Sequence, residues 1–284
     1  MTRADWNAAF AVAGAVAWGG IPYALLARQM TPAARVRAER DCPNPAAVLV
    51  AAFPYFTGET AGNLSVYARG EDYHRVLVRR LNTVCTILSE SYPLYRFFAA
   101  TDSSPLPERE AAWLCGLGLR GRNGLVILPP YGSYLFLGTL LTDCPLDLPE
   151  PLPAPDCLRC GKCVSACPTG ALDREGQFSA QSCLSHLTQR KGDLTPREQA
   201  LLKAHPYLWG CDLCQTVCPY NQAAPAAALP EFKAGYLRDL TPELLEGLSN
   251  KTFSARFGDR AFAWRGPAVL RRNLALKFQH PTRE

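Results

Sequence analysis

Apolar and polar residues follow two different periods along the first 140 residues. The unbroken apolar run of residues 47–53 (AVLVAAF) predicts a buried strand. Across residues 71–90 the apolar positions recur at spacings of three and four, which predicts a helix with one buried stripe: Tyr73, Leu77, Leu81, Val84 and Leu88. Residues 96–101 (RFFAAT) and 125–128 predict further strands, and residues 105–115 predict a helix with acidic residues in its early turns.

The apolar stretch from Phe10 to Trp18 is interpreted as a buried helix. It is short, follows Asp5, and is broken soon afterwards by two glycines and Pro22, which is too little for a membrane span. It also lacks a clear signal-peptidase site. We therefore expect a cytoplasmic protein with no membrane association.

Composition is that of a folded protein rather than a disordered one. Hydrophobic residues make up 48% of the 284 residues and charged residues 19%. The net charge of +5 permits an anionic partner without requiring one. A Pro-rich stretch (Pro145, Pro149, Pro151, Pro153 and Pro155) predicts a boundary, so we divide the chain into domains 1–150, 151–225 and 226–284.

Eight of the twelve cysteines fall between residues 157 and 218. The first four form the run C-x2-C-x2-C-x3-C-P, which is typical of bacterial ferredoxins: Cys157, Cys160, Cys163 and Cys167. In that motif three thiolates hold one 4Fe-4S cluster and the fourth ligates the other cluster. A second, incomplete copy (Cys211, Cys214 and Cys218, then Pro219) has Leu208 where its first ligand should stand. Cys183 is the remaining cysteine of the segment and is predicted to replace it.

The spacing thus predicts two clusters with crossed ligands. The first cysteine set is Cys157, Cys160, Cys163 and Cys218, and the second cysteine set is Cys167, Cys183, Cys211 and Cys214. Zinc is the alternative metal for four cysteines, but zinc ribbons have no need of the Cys-Pro ending. Cys42, Cys85, Cys115 and Cys144 are assigned no role.

Two other motifs are discounted. Residues 116–121 (GLGLRG) fit a dinucleotide fingerprint, but they follow a predicted helix and precede a predicted strand, which is the reverse of the required order. A tight helix-to-strand turn is the better interpretation. Residues 72–74 (Asp-Tyr-His) resemble the start of a corrinoid signature, but Leu77 stands where that signature has glycine. The segment is also predicted to be helical, so His74 is not assigned as a cobalt ligand, and Asp72 is interpreted as a helix cap.

Several segments together resemble the epoxyqueuosine reductase family. They are residues 67–77 (YARGEDYHRVL), 101–110 (TDSSPLPERE), 116–124 (GLGLRGRNG), 131–143 (YGSYLFLGTLLTD), 183–188 (CLSHLT), 209–221 (WGCDLCQTVCPYN) and 265–276 (RGPAVLRRNLAL). The resemblance implies an α+β protein: a corrinoid-binding domain over 1–150, a ferredoxin-like double-cluster domain over 151–225 and a helical tail over 226–284. It also implies two 4Fe-4S clusters, a cobalamin, and reduction of epoxyqueuosine in tRNA to queuosine.

The resemblance assigns the proton donor to Asp102. Burial beside an apolar corrin is expected to raise the pKa of this carboxyl and keep it protonated near neutral pH. The alternative is that Asp102 caps the helix predicted just after it. The implied corrin contacts are Tyr67, His74, Asp102, Ser133, Ser185 and Asp212, each of which is also explained by a structural hydrogen bond.

The resemblance also implies partners, and two alternative functions remain open. Arg190, Lys191 and the tail residues Arg256, Arg260, Arg265, Arg271, Arg272 and Lys277 are candidate contacts for the tRNA anticodon stem-loop. An external low-potential electron donor is expected, and the protein is expected to be a monomer. The alternatives are a related corrinoid reductase of small molecules, such as a reductive dehalogenase, or a ferredoxin-type carrier. A carrier would not need the 150 residues that precede the cysteines.

Overall fold

The computed structural model describes residues 3–146, 152–173, 175 and 177–278. The strands are β1 (Ala17–Pro22), β2 (Ala47–Pro54), β3 (Phe97–Ala100), β4 (Leu119–Arg120), β5 (Val126–Ile127) and β6 (Leu135–Thr142). The helices are α1 (Arg3–Val12), α2 (Tyr23–Ala27), α3 (Pro32–Asp41), α4 (Tyr73–Ser91), α5 (Glu108–Leu114), α6 (Lys162–Ser165), α7 (Leu184–Gln189), α8 (Pro196–Ala204), α9 (Leu213–Thr216), α10 (Pro230–Lys233), α11 (Pro242–Leu245), α12 (Asn250–Phe257) and α13 (Pro267–Phe278).

The main sheet is antiparallel throughout, with strand order β1-β2-β6-β3. Every residue of β2 is buried, because one core packs on each face of the sheet. A strand covered on both faces reads as a continuous apolar run rather than an alternating one. This explains the run at residues 47–53 and confirms the strand predicted there. The mixture of helices and antiparallel strands confirms the α+β class.

The interpretation of Phe10–Trp18 as one helix is wrong. Helix α1 ends at Val12, and Gly14 adopts a φ of +81° that stops it. Trp18 instead lies in β1, opposite Ala51, and stacks on Phe10 with ring centroids 5.2 Å apart. The apolar run therefore covers the end of a helix and the start of a strand, which pack together through the rings of Phe10 and Trp18.

The other predicted elements are present with shifted ends. Asp72 caps α4 by accepting a hydrogen bond from the His74 amide, and the helix buries four residues of the predicted stripe: Leu77, Leu81, Val84 and Leu88. Helix α5 starts only at Glu108, because Leu106 precedes Pro107 and a proline ring disfavours the helical conformation of the residue before it. Residues 116–118 form the expected helix-to-strand turn, with Gly116 and Gly118 at φ +72° and +80°.

The tail packs back onto the earlier parts of the chain. Leu208 and Trp209 share a core with Leu64 and with α12 and α13, and Leu64 forms a parallel bridge with Trp209. The buried Nδ2 of Asn273 donates to the Thr188 and Leu208 carbonyls, both at 2.8 Å. The boundary predicted at 150/151, with Pro149 and Pro151, lies outside the described residues. The three-domain division stays a prediction, and hydrophobic cores cross its second boundary.

None of the described helices combines the length and the apolar character that a membrane crossing requires.

Candidate active site and cluster sites

Asp102 stands on a loop two residues beyond the end of β3. Its φ of +48° lies in the left-handed region, which aspartate tolerates better than most residues. Two contacts hold the loop in this shape: the Asp102 amide donates to Oε1 of Glu108 at 2.6 Å, and Arg37 donates to the Ser103 carbonyl at 2.8 Å. The carboxylate of Asp102 is 58% exposed and therefore open to a bound molecule.

A chain of hydrogen bonds converges on this carboxylate from the start of α4. The Tyr73 hydroxyl donates to Oδ2 of Asp102 at 2.9 Å, and Nε2 of His74 lies 2.8 Å from the same oxygen. The other ring nitrogen of His74 lies 2.7 Å from Oδ1 of Asp72. Only the doubly protonated imidazolium donates to both carboxylates. Asp72 therefore has two roles: it caps α4, and it orients the His74 ring toward Asp102.

These contacts determine where protons reside. Burial opposes protonation of His74, but its hydrogen bonds to Asp102 and Asp72 outweigh burial and raise its pKa to about 9. The hydrogen bond from His74 lowers the pKa of Asp102. The expectation of a raised Asp102 pKa is therefore not met in the protein alone, because a cation rather than an apolar surface faces the carboxylate. Burial raises the pKa of the neighbouring Glu108 to about 8.

Asp102 opens onto a central cleft of about 520 Å³ between the sheet and the cysteine segments. Aromatic side chains form much of its wall, and Tyr73 stacks on Phe136 with ring centroids 4.3 Å apart. Three cysteines of the second set also line the cleft. The lining includes Tyr55, Tyr67, Tyr73, Asp102, Glu108, Asn123, Ser133, Phe136, Cys183, Ser185, Cys211, Cys214 and Gln215.

Three of the predicted corrin contacts line this cleft besides Asp102: Tyr67, Ser133 and Ser185. The Tyr67 and Ser185 hydroxyls each accept a hydrogen bond from Nε2 of Gln189 at 3.2 Å. The Ser133 hydroxyl donates to Oε1 of Gln215 at 2.9 Å. His74 lies beyond Asp102, with both ring nitrogens engaged by carboxylates.

Asp212 lies behind the cleft wall. Its side chain is completely buried, and its two oxygens accept from the Ser65 hydroxyl at 2.6 Å and the Val66 amide at 2.8 Å. A residue with no exposed surface does not reach a molecule in the cleft. Its position supports the alternative role, a structural hydrogen bond that ties the second cysteine run to residues 65–66.

The structure brings the cysteines together as two neighbouring groups. The first set lines a small separate pocket with Asn123 and Tyr220. Cys218 interacts electrostatically with Cys157 and Cys160, although it lies more than 50 residues away in the sequence. In the second set, Cys211 interacts with Cys183 and Cys167. Cys214 and Cys163 connect the two groups.

The positions of Leu208 and Cys183 explain the incomplete second motif. Leu208 is fully buried in the tail core, where a thiolate would be costly. Cys183 stands at the beginning of α7 instead, on the wall of the central cleft. Within the described residues, no three His, Cys, Asp or Glu side chains converge on a point suited to one metal ion. A 4Fe-4S cluster takes four separate thiolates.

Most of the predicted RNA-contacting cations are engaged within the protein. Arg190 pairs with Glu198 at 2.5 Å, and Arg272 donates to the Arg190 carbonyl at 2.7 Å. Arg271 donates to the Leu245 carbonyl at 2.8 Å. Arg265 differs, since its guanidinium lies over the ring of Trp264.

Sequence reasoning missed Tyr73, Glu108, Asn123 and Gln215 as site residues. Tyr73 had a detectable signal, because a hydroxyl at one end of an otherwise aliphatic stripe is unusual for a core position. Glu108 looked like an ordinary acidic residue of a first helical turn. Asn123 and Gln215 lie within the segments that carry the family resemblance, but nothing local marks them as site residues; Asn123 reaches the cleft from the turn between β4 and β5, and Gln215 from α9.

Two family models match the chain. Residues 35–103 match the model described as "Epoxyqueuosine reductase QueG, DUF1730", and residues 156–221 match the "4Fe-4S double cluster binding domain". The second match covers both cysteine sets and confirms the prediction of two 4Fe-4S clusters, while the assignment of cysteines to each cluster stays a prediction.

Curated relatives carry the name epoxyqueuosine reductase. The protein from Synechococcus sp. is 34% identical over 239 residues, covering 82% of this chain and 73% of the relative. The Lactococcus garvieae protein is 39% identical over 78% of this chain and 62% of the relative. The Listeria monocytogenes protein is 40% identical over 74% of this chain and 56% of the relative. The chain thus spans about three fifths of the last two proteins.

Solved structures give the same result. An epoxyqueuosine reductase crystallised with an epoxyqueuosine-modified tRNA-Tyr stem loop has a TM-score of 0.80 at 28% identity, covering 96% of this chain and 79% of that one. A Bacillus subtilis epoxyqueuosine reductase, with its catalytic aspartate loop swung out of the active site, has a TM-score of 0.81 over the same shares. A catabolic reductive dehalogenase shares only the fold, at 16% identity and a TM-score of 0.50. The chain belongs to the epoxyqueuosine reductase family.

Proposed function

We propose that this chain reduces epoxyqueuosine in tRNA to queuosine. The observation that carries the proposal is the central cleft, whose lining includes both Asp102 and three cysteines of the second set. A site for reductive deoxygenation needs a proton source and an electron source that face the same substrate. The relatives, and the solved complex with a modified tRNA stem loop, support the choice of substrate.

The residues of the cleft suit a corrin. Stacked aromatic rings provide an apolar wall for a flat macrocycle, and polar side chains such as Ser133 and Ser185 stand at its edges. Nδ2 of Asn123 is buried on this wall without a hydrogen-bond partner in the described protein, as expected of a donor that serves a bound group. When bound, cobalamin would supply a strongly reducing cobalt centre.

The eight cysteines are proposed to hold two 4Fe-4S clusters in the crossed arrangement. The first set lines its own pocket, whereas Cys183, Cys211 and Cys214 of the second set line the cleft. The cluster of the second set is therefore the one nearer the substrate. An external low-potential donor is proposed to deliver electrons at the side of the first set, where Cys160 is exposed.

The site's own residues supply the protons. Conversion of an epoxide to an alkene and water consumes two electrons and two protons, and the oxygen leaves readily only when protonated. Asp102 is proposed to deliver a proton to that oxygen. In the protein alone the proton of this pair resides on Nε2 of His74, 2.8 Å from the ionised Asp102 carboxylate. Its transfer to Asp102 requires that a bound corrin and substrate displace water and raise the pKa of the carboxyl. Tyr73 fixes the direction in which the carboxylate points.

The test is anaerobic turnover. Protein reconstituted with iron, sulfide and cobalamin is supplied with a low-potential reductant and a stem-loop RNA that carries epoxyqueuosine. The nucleosides are then identified by mass spectrometry after digestion. We expect queuosine to form from the RNA, with little reaction of the free epoxyqueuosine nucleoside. Preferential reaction of the free nucleoside would contradict a tRNA substrate, and no corrinoid spectrum with intact clusters would contradict the whole proposal.

A further inference from the structure

Trp264 is the exposed member of the chain's five tryptophans. It is 61% exposed, whereas Trp6, Trp113 and Trp209 are buried and Trp18 packs against Phe10. A large indole is rarely left in water, because burying it releases much apolar surface. The position therefore calls for a reason outside the stability of the fold.

The ring is presented by a rigid turn. It belongs to a 3₁₀ turn (Ala263–Arg265) between α12 and α13. Gly266 ends this turn with a φ of +76°, and Phe262, which precedes it, is completely buried. Anchors on both sides hold the indole in place before any partner arrives, which reduces the entropy lost on binding.

Arg265 lies against one face of this ring. Its guanidinium carbon is 3.6 Å from the ring centroid, a close cation–π contact. Its Nε is buried and has no hydrogen-bond partner within the described residues. With one face covered by Arg265 and most of the indole still exposed, the opposite face is available for stacking. A flat aromatic face beside a fixed positive charge matches a nucleotide, with its flat base and its anionic phosphate.

The ring also lines a cavity that reaches the candidate acid. Trp264 lines a side cavity of about 460 Å³ together with Tyr67, Tyr73, His74, Asp102 and Gln189. Tyr67, Tyr73 and Asp102 also line the central cleft, so the two cavities meet at the candidate acid. Of these two cavities, the cysteines line the central cleft only, and Trp264 lines the side cavity only.

We propose that Trp264 stacks on a base of the RNA loop that brings the substrate nucleotide to Asp102, and that Arg265 faces a phosphate of that loop. The inference rests on the proposed function for the identity of the RNA. It goes further by assigning recognition of an RNA base to the side chain of Trp264. Bases of single-stranded loops are commonly held by stacking on aromatic side chains.

The test measures RNA binding separately from chemistry. A fluorescently labelled, unmodified anticodon stem-loop is titrated with the holoenzyme, and the Kd is read by anisotropy. We expect Trp264→Ala to weaken binding by between about 5-fold and 100-fold, and Trp264→Phe to stay within about threefold of wild type. RNA should also quench the tryptophan fluorescence of wild type, and this quench should be largely lost in Trp264→Phe.

Phe278→Ala is the matched control, since it removes another exposed aromatic side chain, on α13, that is not among the residues lining the side cavity. An unchanged Kd in Trp264→Ala would overturn the inference, and so would equal losses in Trp264→Ala and Phe278→Ala. Turnover of the epoxyqueuosine stem-loop is followed in parallel. A wild type that binds the RNA but does not reduce it would refute the proposed function and leave the Trp264 comparison intact.

Discussion

Nε2 of His74 lies 2.8 Å from Oδ2 of Asp102, and the two side chains form an ion pair on the wall of the side cavity. The pair joins the first turn of α4 to the loop after β3, which are separated by 28 residues in sequence. Both side chains remain partly exposed, with 34% of His74 and 58% of Asp102 open to solvent. The contact therefore contributes little to stability and is better understood as an arrangement for proton transfer.

Asp102→Asn removes the acid while preserving its size and its ability to accept from Tyr73. We expect epoxide reduction to fall at least about 100-fold, because a positioned general acid typically contributes that much. The cluster and corrinoid spectra should be unchanged. Turnover of the stem-loop RNA is the measurement, and Asp41→Asn on α3 is the control. Undiminished turnover would exclude Asp102 as the acid.

The pH dependence of the ion pair should follow the titration of His74. Its pKa in the folded protein is raised to about 9, from an ordinary value near 6.5, so the imidazolium persists through neutral pH and is lost as pH rises through about 9. The stabilising effect of the pair follows the same window: it is complete below about 6.5 and disappears above about 9.

Nitrogen chemical shifts of the four histidines provide the measurement. Asp102→Asn should move the His74 titration to lower pH, because the variant removes one carboxylate partner. A His74 that titrates near 6.5 in wild type would contradict the ion pair.

Asp212→Asn should reduce the stability of the protein with little effect on corrinoid binding. The variant replaces one of two buried acceptor oxygens, which accept from Ser65 and Val66, with an amide nitrogen. An unsatisfied buried donor costs about 1–3 kcal/mol of unfolding free energy. Chemical denaturation of the anaerobic holoenzyme measures the change. Ser185→Ala, on the cleft wall, should cost much less stability and mainly weaken corrinoid binding. If Asp212→Asn weakened corrinoid binding with little loss of stability, Asp212 would be a corrin contact after all.

Single cysteine variants test the crossed ligand sets. Cys157→Ser and Cys218→Ser should impair the same cluster, and Cys167→Ser and Cys183→Ser the other, so each variant should retain about half the iron. Electron paramagnetic resonance identifies which cluster remains. An uncrossed arrangement would instead group Cys218 with Cys211. Cys85→Ser, in α4, is the control and should retain both clusters.

Local sequence patterns were sufficient to predict several secondary-structure elements and the two cluster sites. The buried strand β2, helix α4 and the cap at Asp72 follow from short-range rules of burial and hydrogen bonding. The cysteine spacing was enough to predict two 4Fe-4S sites, since tight loops and thiolate ligands are local requirements. The family resemblance added Asp102, which by itself looked like a helix cap.

Long-range contacts decided the rest. Trp18 lies in a strand because β1 pairs with the edge of β2. Asp212 is buried because its oxygens accept hydrogen bonds from Ser65 and Val66, which are distant in the sequence, and its role as a corrin contact stays a prediction. The low pKa of Asp102 depends on His74, whose distance from the carboxylate is absent from any local pattern. Charge states and cavities arise from which segments pack together, and that packing is a property of the folded chain.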